Sequence, residues 1–453
     1  MNLDEDQKKA VEYLDDALVI AGAGSGKTTT IVAKINYLIE NNYYKEDEIL
    51  VISFTNESVN SLKKRVKHQV DIKTFHKLAV DIIDDTNLSV CHESYLDYII
   101  NEYFNSYALE NKKTKRIIKR LLIDNKPHHL QALIKTFINL YKSNYQDIDY
   151  LFSLYCKSWF KTRDYLKIIL EVYQIYLREL EGSGMLDFND LISFATKLIN
   201  DNQRFTKYKY VIIDEFQDTS LNRFKLIQAI LKQNDGKLFA VGDDYQSIYR
   251  FSGCDLEIFL NIEHYLPNIK KLFINHNYRN HQSLIAVANK FILRNPKQIK
   301  KQTICYKDNS KPIVIHFYSD KTQIFNDVIK QIDGNVLVLG RNNVDKESFN
   351  IAEDEQIRFL TIHRSKGLEE DNVVLINLEN SRSGFPSLIQ NNEILSKVIT
   401  KDFIIHEEER RLMYVALTRT KNKIHILVPK DNYSVFIKEL IWKHKKFVEI
   451  KKH

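Results

Sequence analysis

Residues 18–28 read LVIAGAGSGKT, and this stretch decides the fold class of the chain. The apolar run Leu18 to Ile20 leads into a loop with glycine at positions 22, 24 and 26, and a helical pattern follows from Thr29. A strand, a glycine-rich loop and a helix in this order are typical of a phosphate-binding loop. Backbone N–H groups of such a loop surround phosphate oxygens, and the helix N-terminus contributes the positive end of its dipole. A glycine-rich turn that precedes Lys-Thr by chance is the alternative, and the flanking elements argue against it.

The side chains of this loop have distinct expected roles. Lys27 would reach the β- and γ-phosphates of a nucleotide, and the hydroxyl of Thr28 would bind Mg²⁺. Ala21, which is also small, replaces the first glycine of the motif. The predicted nucleotide-binding residues of the loop are Ala21, Gly22, Ala23, Gly24, Ser25, Gly26, Lys27, Thr28 and Thr29.

A second short apolar run, Tyr210 to Ile213, ends in Asp214 and Glu215. Acidic residues at the carboxyl end of a buried parallel strand lie where ligands bind in α/β sheets. We expect Asp214 to hold Mg²⁺ and Glu215 to polarise the attacking water. A strand followed by a solvated acidic turn is the alternative, and the phosphate-binding loop argues against it.

Length and composition restrict the class of protein further. The chain has 453 residues and a formal net charge of +7, which permits a polyanionic partner without requiring one. It has only 12 glycines and 6 prolines, which excludes collagen-like and low-complexity chains. The four cysteines lie far apart and lack metal-ligand spacing. Because the sequence shows neither a secretory signal pattern nor a long apolar run, we expect a soluble, cytoplasmic protein.

A long insertion separates the two nucleotide motifs, because Asp214 follows Lys27 by 187 positions (214 − 27). Apolar residues recur at helical spacing within residues 165–180. Residues 92–181 are therefore predicted to form a helical subdomain. Within it, residues 112–120 (KKTKRIIKR) carry six basic residues and no acid, which fits either a solvated helix face or a phosphate-backbone contact.

After residue 270 the pattern returns to short strands between helices, which predicts a second parallel-sheet domain. The candidate strands are IVIHF (313–317), VLVLG (336–340), FLTIH (359–363), VVLIN (373–377) and IHILV (424–428). The chain is therefore expected to be an α/β protein with two parallel sheets.

Several segments, taken in order along the chain, resemble the motifs of superfamily 1A helicases of the UvrD, Rep and PcrA type. The Walker A loop is residues 21–28. The other matching segments are ISFTNESVNSLKKRV (52–66), TFHKLA (74–79), DFNDLI (187–192), IIDEFQDTS (212–220), VGDDYQSIYRFSG (241–253), NYRN (277–280), TIHRSKGLE (361–369) and EEERRLMYVALTRTK (407–421). A shared order over nearly the whole chain is far more specific than a single Walker A match.

The resemblance implies two RecA-like domains of the P-loop NTPase fold. The first carries a helical insertion, 1B, and the second lacks the 2B insertion that full-length members have. The implied domains are 1–80 with 187–269 (1A), 81–186 (1B) and 270–453 (2A), with a short loop at 342–358 in place of 2B. In the family 2B is a regulatory and duplex-contacting element, so its absence implies a minimal motor controlled from elsewhere.

The resemblance also implies nucleotide contacts outside the loop. Gln7 resembles the glutamine that reads adenine, Tyr278 the aromatic that stacks on adenine, and Glu369 the acid that binds ribose. Gln246 would sense the γ-phosphate. Two arginines of the second domain would act as arginine fingers, so ATP would lie between the domains and draw them together. The implied catalytic residues are Lys27, Asp214, Glu215, Gln246, Arg279 and Arg419.

A track for a nucleic-acid strand is implied at the motifs that stack bases in the family. Base stacking on an aromatic side chain gives about 1–3 kcal/mol per base and tolerates any sequence. The implied DNA contacts are Phe54, Thr55, Asn56, Phe75, His76, Tyr249, Arg250, Phe251 and His363. For each aromatic and each histidine, a place in the core is the alternative. Phe251, Ser252, Glu370 and Thr420 depart from the family pattern, which usually has Trp, a basic residue, an aromatic and Ala there.

Three functions stay open at this point. The first is an ATP-dependent DNA helicase moving 3′ to 5′ on single-stranded DNA, a polarity that the resemblance alone implies. The second is a translocase that strips proteins from DNA, or the motor subunit of a nuclease or defence complex. The third is a non-motor nucleotide switch, against which the full hydrolytic set argues. The expected ligands are ATP, Mg²⁺ and single-stranded or tailed duplex DNA, with RNA as a minor option. No membrane partner is expected, and a protein partner that supplies regulation or nuclease activity is left open.

Overall fold

The first lobe contains the glycine-rich loop, which lies between its first strand and its second helix. The computed structural model describes residues 2–84, 89–122, 126–145, 147–308, 311–389, 392–399 and 404–452. The opening elements are α1 (Glu5–Glu12), β1 (Ala17–Ala21), α2 (Lys27–Glu40), β2 (Ile49–Ile52), α3 (Asn56–Arg65), β3 (Asp71–Lys73) and α4 (Phe75–Ile83). Strands β1 and β2 are buried along their whole length, which explains why both are continuous apolar runs.

A helical subdomain follows between two short paired strands. Its elements are β4 (Ser89–Val90), α5 (Tyr95–Glu102), α6 (Ala108–Glu110), α7 (Lys112–Leu121), α8 (Pro127–Asn144), α9 (Ile148–Lys157), α10 (Phe160–Gly182) and β5 (Met185–Leu186). The long helix α10 buries Tyr165, Ile168, Val172 and Tyr176 in the core of the subdomain, as the helical spacing predicted. Strand β4 pairs in parallel with β5, so the chain enters and leaves the subdomain at one place.

The chain then completes the first sheet. The returning elements are α11 (Phe188–Asn200), β6 (Tyr210–Ile213), α12 (Leu221–Asn234), β7 (Lys237–Gly242), α13 (Leu256–Leu260) and β8 (Lys270–Ile274). All neighbours are parallel, in the order β3-β2-β6-β7-β1-β8. Because β8 pairs with β1, the first lobe extends to Ile274, whereas the sequence placed the division after residue 269.

The second lobe contains the second parallel sheet. Its elements are β9 (His276–His281), α14 (Gln282–Ile292), β10 (Ile304–Lys307), β11 (Ile313–Tyr318), α15 (Lys321–Ile329), β12 (Val336–Gly340), α16 (Val344–Ser348), β13 (Ile357–Thr361), β14 (Glu370–Leu375), α17 (Glu407–Leu417), β15 (Thr420–Pro429), α18 (Val435–Lys443) and β16 (Val448–Lys452). The strand order is β13-β12-β14-β15-β11-β16, again parallel throughout. These two sheets confirm the predicted α/β class.

Two connections of the second lobe matter for function. Between β12 and β13, residues 341–356 form only the short helix α16 and its flanking loops, and the last two residues of the predicted loop 342–358 belong to β13. Between β14 and α17, residues 392–399 leave the second lobe and pack against α10 of the helical subdomain. Ile394, Leu395 and Val398 are buried in the core of that subdomain. We call residues 392–399 the cross-lobe strap.

Every helix within the described ranges is too short or too polar to cross a lipid bilayer.

Candidate nucleotide and nucleic-acid site

The glycine-rich loop lies between β1 and α2, with the second lobe close above it. Gly24 and Gly26 have φ angles of +68° and +81°, a left-handed backbone that glycine adopts without strain. A Cβ atom on Gly24 would lie 2.7 Å from the Cβ of Arg279, which comes from the second lobe. The side chain of Ala21 is buried in the core beneath the loop, so Ala21 offers only its backbone to a ligand.

Lys27 and Glu215 face each other at the head of the cleft. The Nζ of Lys27 lies 3.1 Å from both carboxylate oxygens of Glu215. The Nε2 of Gln217 donates a hydrogen bond of 2.6 Å to the same carboxylate. Burial by itself would raise the pKa of Glu215, but Lys27 and Lys366 hold that pKa at about 2. Glu215 is therefore a carboxylate at physiological pH, as a residue that polarises water must be.

Asp214 lies beside Glu215 at the end of β6. It is buried, and burial together with the charge of Glu215 raises the pKa of Asp214 to about 7. A carboxylate whose charge is so poorly compensated fits a divalent cation, which prefers hard oxygen ligands. The residues that would hold Mg²⁺ are Asp214 and Thr28.

Gln246 and Arg419 connect the two lobes. The Nη2 of Arg419 donates a hydrogen bond of 3.2 Å to the Oε1 of Gln246, whose Nε2 donates to Asp243. Arg419 also donates to the carbonyl groups of Val415 and Leu368, each at 3.1 Å. Burial and the neighbouring Arg279 lower the pKa of Arg419 to about 9. Its guanidinium is thus held close to that of Arg279, and two neighbouring guanidinium groups suit a phosphate.

Arg279 is held at the rim of the same cleft. Its Nε donates a 2.5 Å hydrogen bond to Glu369, and its Nη1 donates to the carbonyl of Thr418. The sequence assigned Arg279 to phosphate and Glu369 to ribose, and the structure pairs them with each other. The pKa of Glu369 is accordingly lowered by Arg279 and Lys421, against the effect of burial.

Gln7 and Tyr278 lie together beside the loop. The Nε2 of Gln7 donates a hydrogen bond of 3.1 Å to the carbonyl of Ser25. The hydroxyl of Tyr278 donates to Asp4, and its ring stacks on Tyr306 at 5.7 Å. Tyr306 was not predicted from the sequence. It is an exposed aromatic residue next to the expected adenine position.

One cavity between the lobes contains most of the predicted nucleotide residues. Its lining residues are Asn2, Gln7, Ala23, Gly24, Ser25, Gly26, Lys27, Thr28, Thr29, Arg65, Glu215, Gln246, Tyr278, Arg279, Gly367, Glu369 and Arg419. Ala21, Gly22 and Asp214 do not line it. Arg65 was not predicted, and it donates a 3.1 Å hydrogen bond to the hydroxyl of Thr29.

Lys366 is a further cleft residue that the sequence reasoning missed. It belongs to the TIHRSKGLE segment of the second lobe, and its ammonium is almost fully buried. The Nζ donates to the carboxylate of Asp218 and, at 2.8 Å, to the carbonyl of Gln246. It also lies 5.0 Å from the centre of the Tyr249 ring. Lys366 therefore connects the second lobe to two segments of the first lobe, IIDEFQDTS (212–220) and VGDDYQSIYRFSG (241–253).

Three predicted strand contacts gather where the lobes meet. The hydroxyl of Tyr249 donates a 3.0 Å hydrogen bond to the carbonyl of His363. The ring of Phe251 lies 5.4 Å from that of His363 and 6.0 Å from that of Tyr249. Phe251 is 58% exposed, so its ring is open to a base. Burial and the charge of Arg341 lower the pKa of His363 to about 4, so its imidazole is neutral at physiological pH.

Phe75 is a correction to the predicted strand contacts. It is 2% exposed, inside the core of the first lobe, because α4 turns its apolar face toward the sheet. Phe54 packs against it at 5.4 Å and is partly buried. Phe75 is therefore not accessible to a base, and its ring supports that of Phe54.

A second aromatic pair lies on the first lobe. His76 meets Phe188 edge to face at 5.1 Å, and the Phe188 ring is partly exposed in a shallow groove. Burial and Arg223 lower the pKa of His76 to about 4, so it is a neutral hydrogen-bonding group. Phe188 was missed, although its DFNDLI segment was recognised.

The remaining predicted contacts are at loop and helix ends. Thr55 and Asn56 are exposed at the N-terminus of α3, where the Thr55 hydroxyl accepts from the backbone N–H of Ser58. Arg250 forms an ion pair of 3.2 Å with Glu408 of the second lobe. Its guanidinium therefore takes part in the contact between the lobes.

Two parallel-sheet lobes that share one cleft define the class of protein. A phosphate-binding loop and two acids come from one lobe, and two arginines come from the other. This arrangement is typical of a P-loop NTPase that changes the relation between its lobes with nucleotide.

Comparison with known families gives the particular family. Residues 3–267 match the family model described as the UvrD/REP helicase N-terminal domain, and residues 335–430 match the UvrD-like helicase C-terminal domain. The chain belongs to the UvrD/Rep helicase family, which confirms the resemblance inferred from its motifs.

Individual relatives agree with this assignment. DNA helicase IV of Escherichia coli (strain K12) is 28% identical over 93% of this chain and 67% of that relative. The ATP-dependent DNA helicase Rep of Buchnera aphidicola subsp. Baizongia pistaciae is 32% identical over 65% of this chain and 43% of that relative. A probable DNA helicase of Mycoplasma pneumoniae is 27% identical over 94% of this chain and 83% of that relative. The chain thus spans less than half of this Rep relative.

Proposed function

We propose that the chain is an ATP-dependent DNA helicase or translocase that moves 3′ to 5′ on single-stranded DNA. The observation that carries this proposal is the hydrogen bond between Gln246 and Arg419 across the cleft. It joins the acid-bearing lobe to the arginine-bearing lobe at the place where a γ-phosphate would lie. The direction of movement rests on family membership alone.

The cleft residues support hydrolysis of a nucleotide. Lys27 is paired with Glu215, and incoming phosphate oxygens would compete for the Lys27 ammonium. Glu215 would then be released to orient and polarise a water molecule. Arg279 and Arg419 would stabilise charge on the transferred phosphoryl group. Mg²⁺, when bound by Thr28 and Asp214, would neutralise phosphate charge.

The same contacts connect hydrolysis to the strand. Lys366 contacts both the Gln246 carbonyl and the Tyr249 ring, and Tyr249 contacts His363. A change at the γ-phosphate is therefore only a few contacts away from the exposed Phe251 ring. Movement of one lobe against the other would shift the aromatic groups relative to a bound strand.

The first experiment measures ATP turnover with single-stranded DNA, blunt duplex DNA and RNA. We expect single-stranded DNA to stimulate turnover most. Glu215→Gln should abolish the stimulated rate while the affinity for single-stranded DNA stays unchanged. Glu353→Gln, at an exposed ion pair with Lys346 that does not line the cleft, is the matched control. Normal turnover by Glu215→Gln would refute the assigned site.

The second experiment tests direction and distinguishes a second candidate function. Duplexes with a 3′ tail or a 5′ tail are offered separately, and unwinding of only the 3′-tailed substrate is expected. The short connection between β12 and β13 favours a translocase that strips bound proteins, or a motor subunit whose unwinding depends on a partner. If the protein displaces streptavidin from a biotinylated single strand but does not separate a tailed duplex, the result favours the protein-stripping translocase over the helicase.

A further inference from the structure

Two aromatic side chains stand exposed where α9 meets α10. Trp159 is 75% exposed and Phe160 is 91% exposed. Phe160 also has a φ angle of +47°, in the left-handed region that aromatic residues rarely adopt. Such a conformation persists only where the surrounding structure holds it, and it is enriched at functional sites. The ring of Phe160 is thus held outward in a costly backbone conformation without burying apolar surface.

The exposed charged side chains of the neighbouring helix α7 are all positive. Its buried residues are Thr114, Ile117 and Leu121, and Ile118 is partly buried against the same core. The exposed basic residues are Lys112, Lys113, Lys115, Arg116, Lys119 and Arg120. Among the described residues, only Arg120 of these six has an ion-pair partner within 4.0 Å.

One ion pair places the basic helix beside the aromatic pair. The Nη2 of Arg120 lies 2.8 Å from the Oδ2 of Asp164. Asp164 follows Phe160 by four positions, in the first turns of α10, so this ion pair brings the end of α7 close to the start of α10. Lys161 and Arg163 of the same turn are exposed and add two more positive charges.

We propose that this surface, formed by α7 and the start of α10, binds an unpaired nucleic-acid strand outside the track between the lobes. Bases would stack on Trp159 and Phe160, and the lysines and arginines of α7 would contact phosphates. Flat exposed rings next to basic side chains are the combination that proteins use for single strands of any sequence. The binding site itself is independent of the proposed function, but the source of the strand rests on it, since unwinding releases a displaced single strand.

The tryptophan content of the chain supplies a direct test. The chain has two tryptophans, Trp159 and Trp442, and the second is 84% exposed on α18 of the second lobe. Trp442→Phe leaves Trp159 as the sole tryptophan, and a base stacked on its indole quenches its fluorescence. We expect oligothymidine to quench the Trp442→Phe protein saturably in the absence of ATP. Trp159→Phe, which keeps only Trp442, is the matched control and should show no quenching.

A charge variant tests the phosphate contacts. Each phosphate contact to a single strand contributes about 0.7 to the slope of log affinity against log salt. Replacement of Lys112, Lys115 and Lys119 by Gln should therefore lower that slope by about 2 for the quenching of Trp159. Loss of stacking in Phe160→Ala should weaken the same binding by about 5- to 150-fold.

The results that would overturn the proposal are specific. Oligothymidine that binds the protein by anisotropy but leaves Trp159 unquenched would refute it. Equal quenching by blunt duplex DNA would show a duplex contact instead of an unpaired strand. An unchanged salt slope in the lysine variant would leave α7 as a solvated face and refute the phosphate contacts. Failure of DNA to stimulate ATP turnover would refute the proposed function, and it would not alter the quenching result.

Discussion

Replacement of Lys366 by Met removes the positive charge that lies between the lobes. Lys366 and Asp218 have side chains only 6% and 4% exposed, and their charged groups are in direct contact. The variant keeps a side chain of similar length but leaves the Asp218 carboxylate buried without its cation. We expect a large loss of stability for this reason.

The size of the loss follows from the burial of the pair. Removal of one partner from a buried ion pair typically costs about 3–5 kcal/mol. For a domain of 150–250 residues, each kcal/mol lowers the melting temperature by about 2–4 °C, so a decrease of roughly 6–20 °C is expected. Lys421 pairs with Glu369 at 3.6 Å but is 35% exposed, and Lys421→Met should cost less than about 1 kcal/mol.

The loss should depend on pH with a definite sign. Burial raises the pKa of Asp218 from 3.8 to about 6 even though Lys366 opposes the shift. Because the folded state then holds its proton longer than the unfolded state, this group lowers stability as pH rises from about 4 through 6. Without Lys366 the pKa of Asp218 moves higher, so the decrease continues above pH 6. The difference between wild type and variant should be largest near pH 8 and smallest near pH 5.

Thermal unfolding followed by circular dichroism between pH 5 and 8 measures this effect. Addition of Asp218→Asn to Lys366→Met should recover most of the loss, because it removes the uncompensated charge. An unchanged melting temperature for Lys366→Met at pH 8 would refute the reasoning. A double variant no more stable than Lys366→Met would show that packing, not charge, accounts for the loss.

Three further changes test other contacts. Arg419→Lys cannot keep the hydrogen bonds to Gln246, Val415 and Leu368 together, so ATP turnover should fall by about 10³-fold or more while nucleotide binding, measured by a fluorescent analogue, changes little. Phe251→Ala should weaken binding of single-stranded DNA by about 1–3 kcal/mol in an anisotropy titration, and Phe251→Trp should not weaken it. Gly253→Ala would place a Cβ 2.4 Å from the Cβ of Ser143 at a φ angle of +90°, so it should lower the melting temperature, and Ser143→Gly in the same chain should recover part of the loss.

The nucleotide motifs could be predicted because their chemistry is local in sequence. The loop from Gly22 to Lys27 needs glycine where the backbone is left-handed, and that requirement is visible in the residues themselves. Asp214 and Glu215 follow an apolar run that is unambiguous as a buried strand. The two sheets followed from similar runs in both halves of the chain.

Other features depend on packing that a sequence pattern does not record. Phe75 belongs to a recognised motif, yet its position on α4 turns it into the core. Strand β8 (Lys270–Ile274) begins with two lysines and has a partly exposed face, so its membership of the first sheet was hidden. The importance of Lys366 comes from its contacts with Asp218, Gln246 and Tyr249, which are far away in the sequence but lie close to it across the cleft.

The cross-lobe strap has a consequence for the way the molecule is made. The core of the helical subdomain is built from residues 91–180 together with Ile394, Leu395 and Val398. A ribosome adds the last of these more than 200 residues after Leu180, so the nascent subdomain keeps an exposed apolar surface until Val398 has been made. A fragment made of residues 89–186 should expose the same apolar surface and therefore self-associate. A peptide with the sequence of the strap should bind that surface and suppress the self-association. The helical subdomain is thus inserted in the sequence of the first lobe, but a segment of the second lobe completes its core in the folded protein.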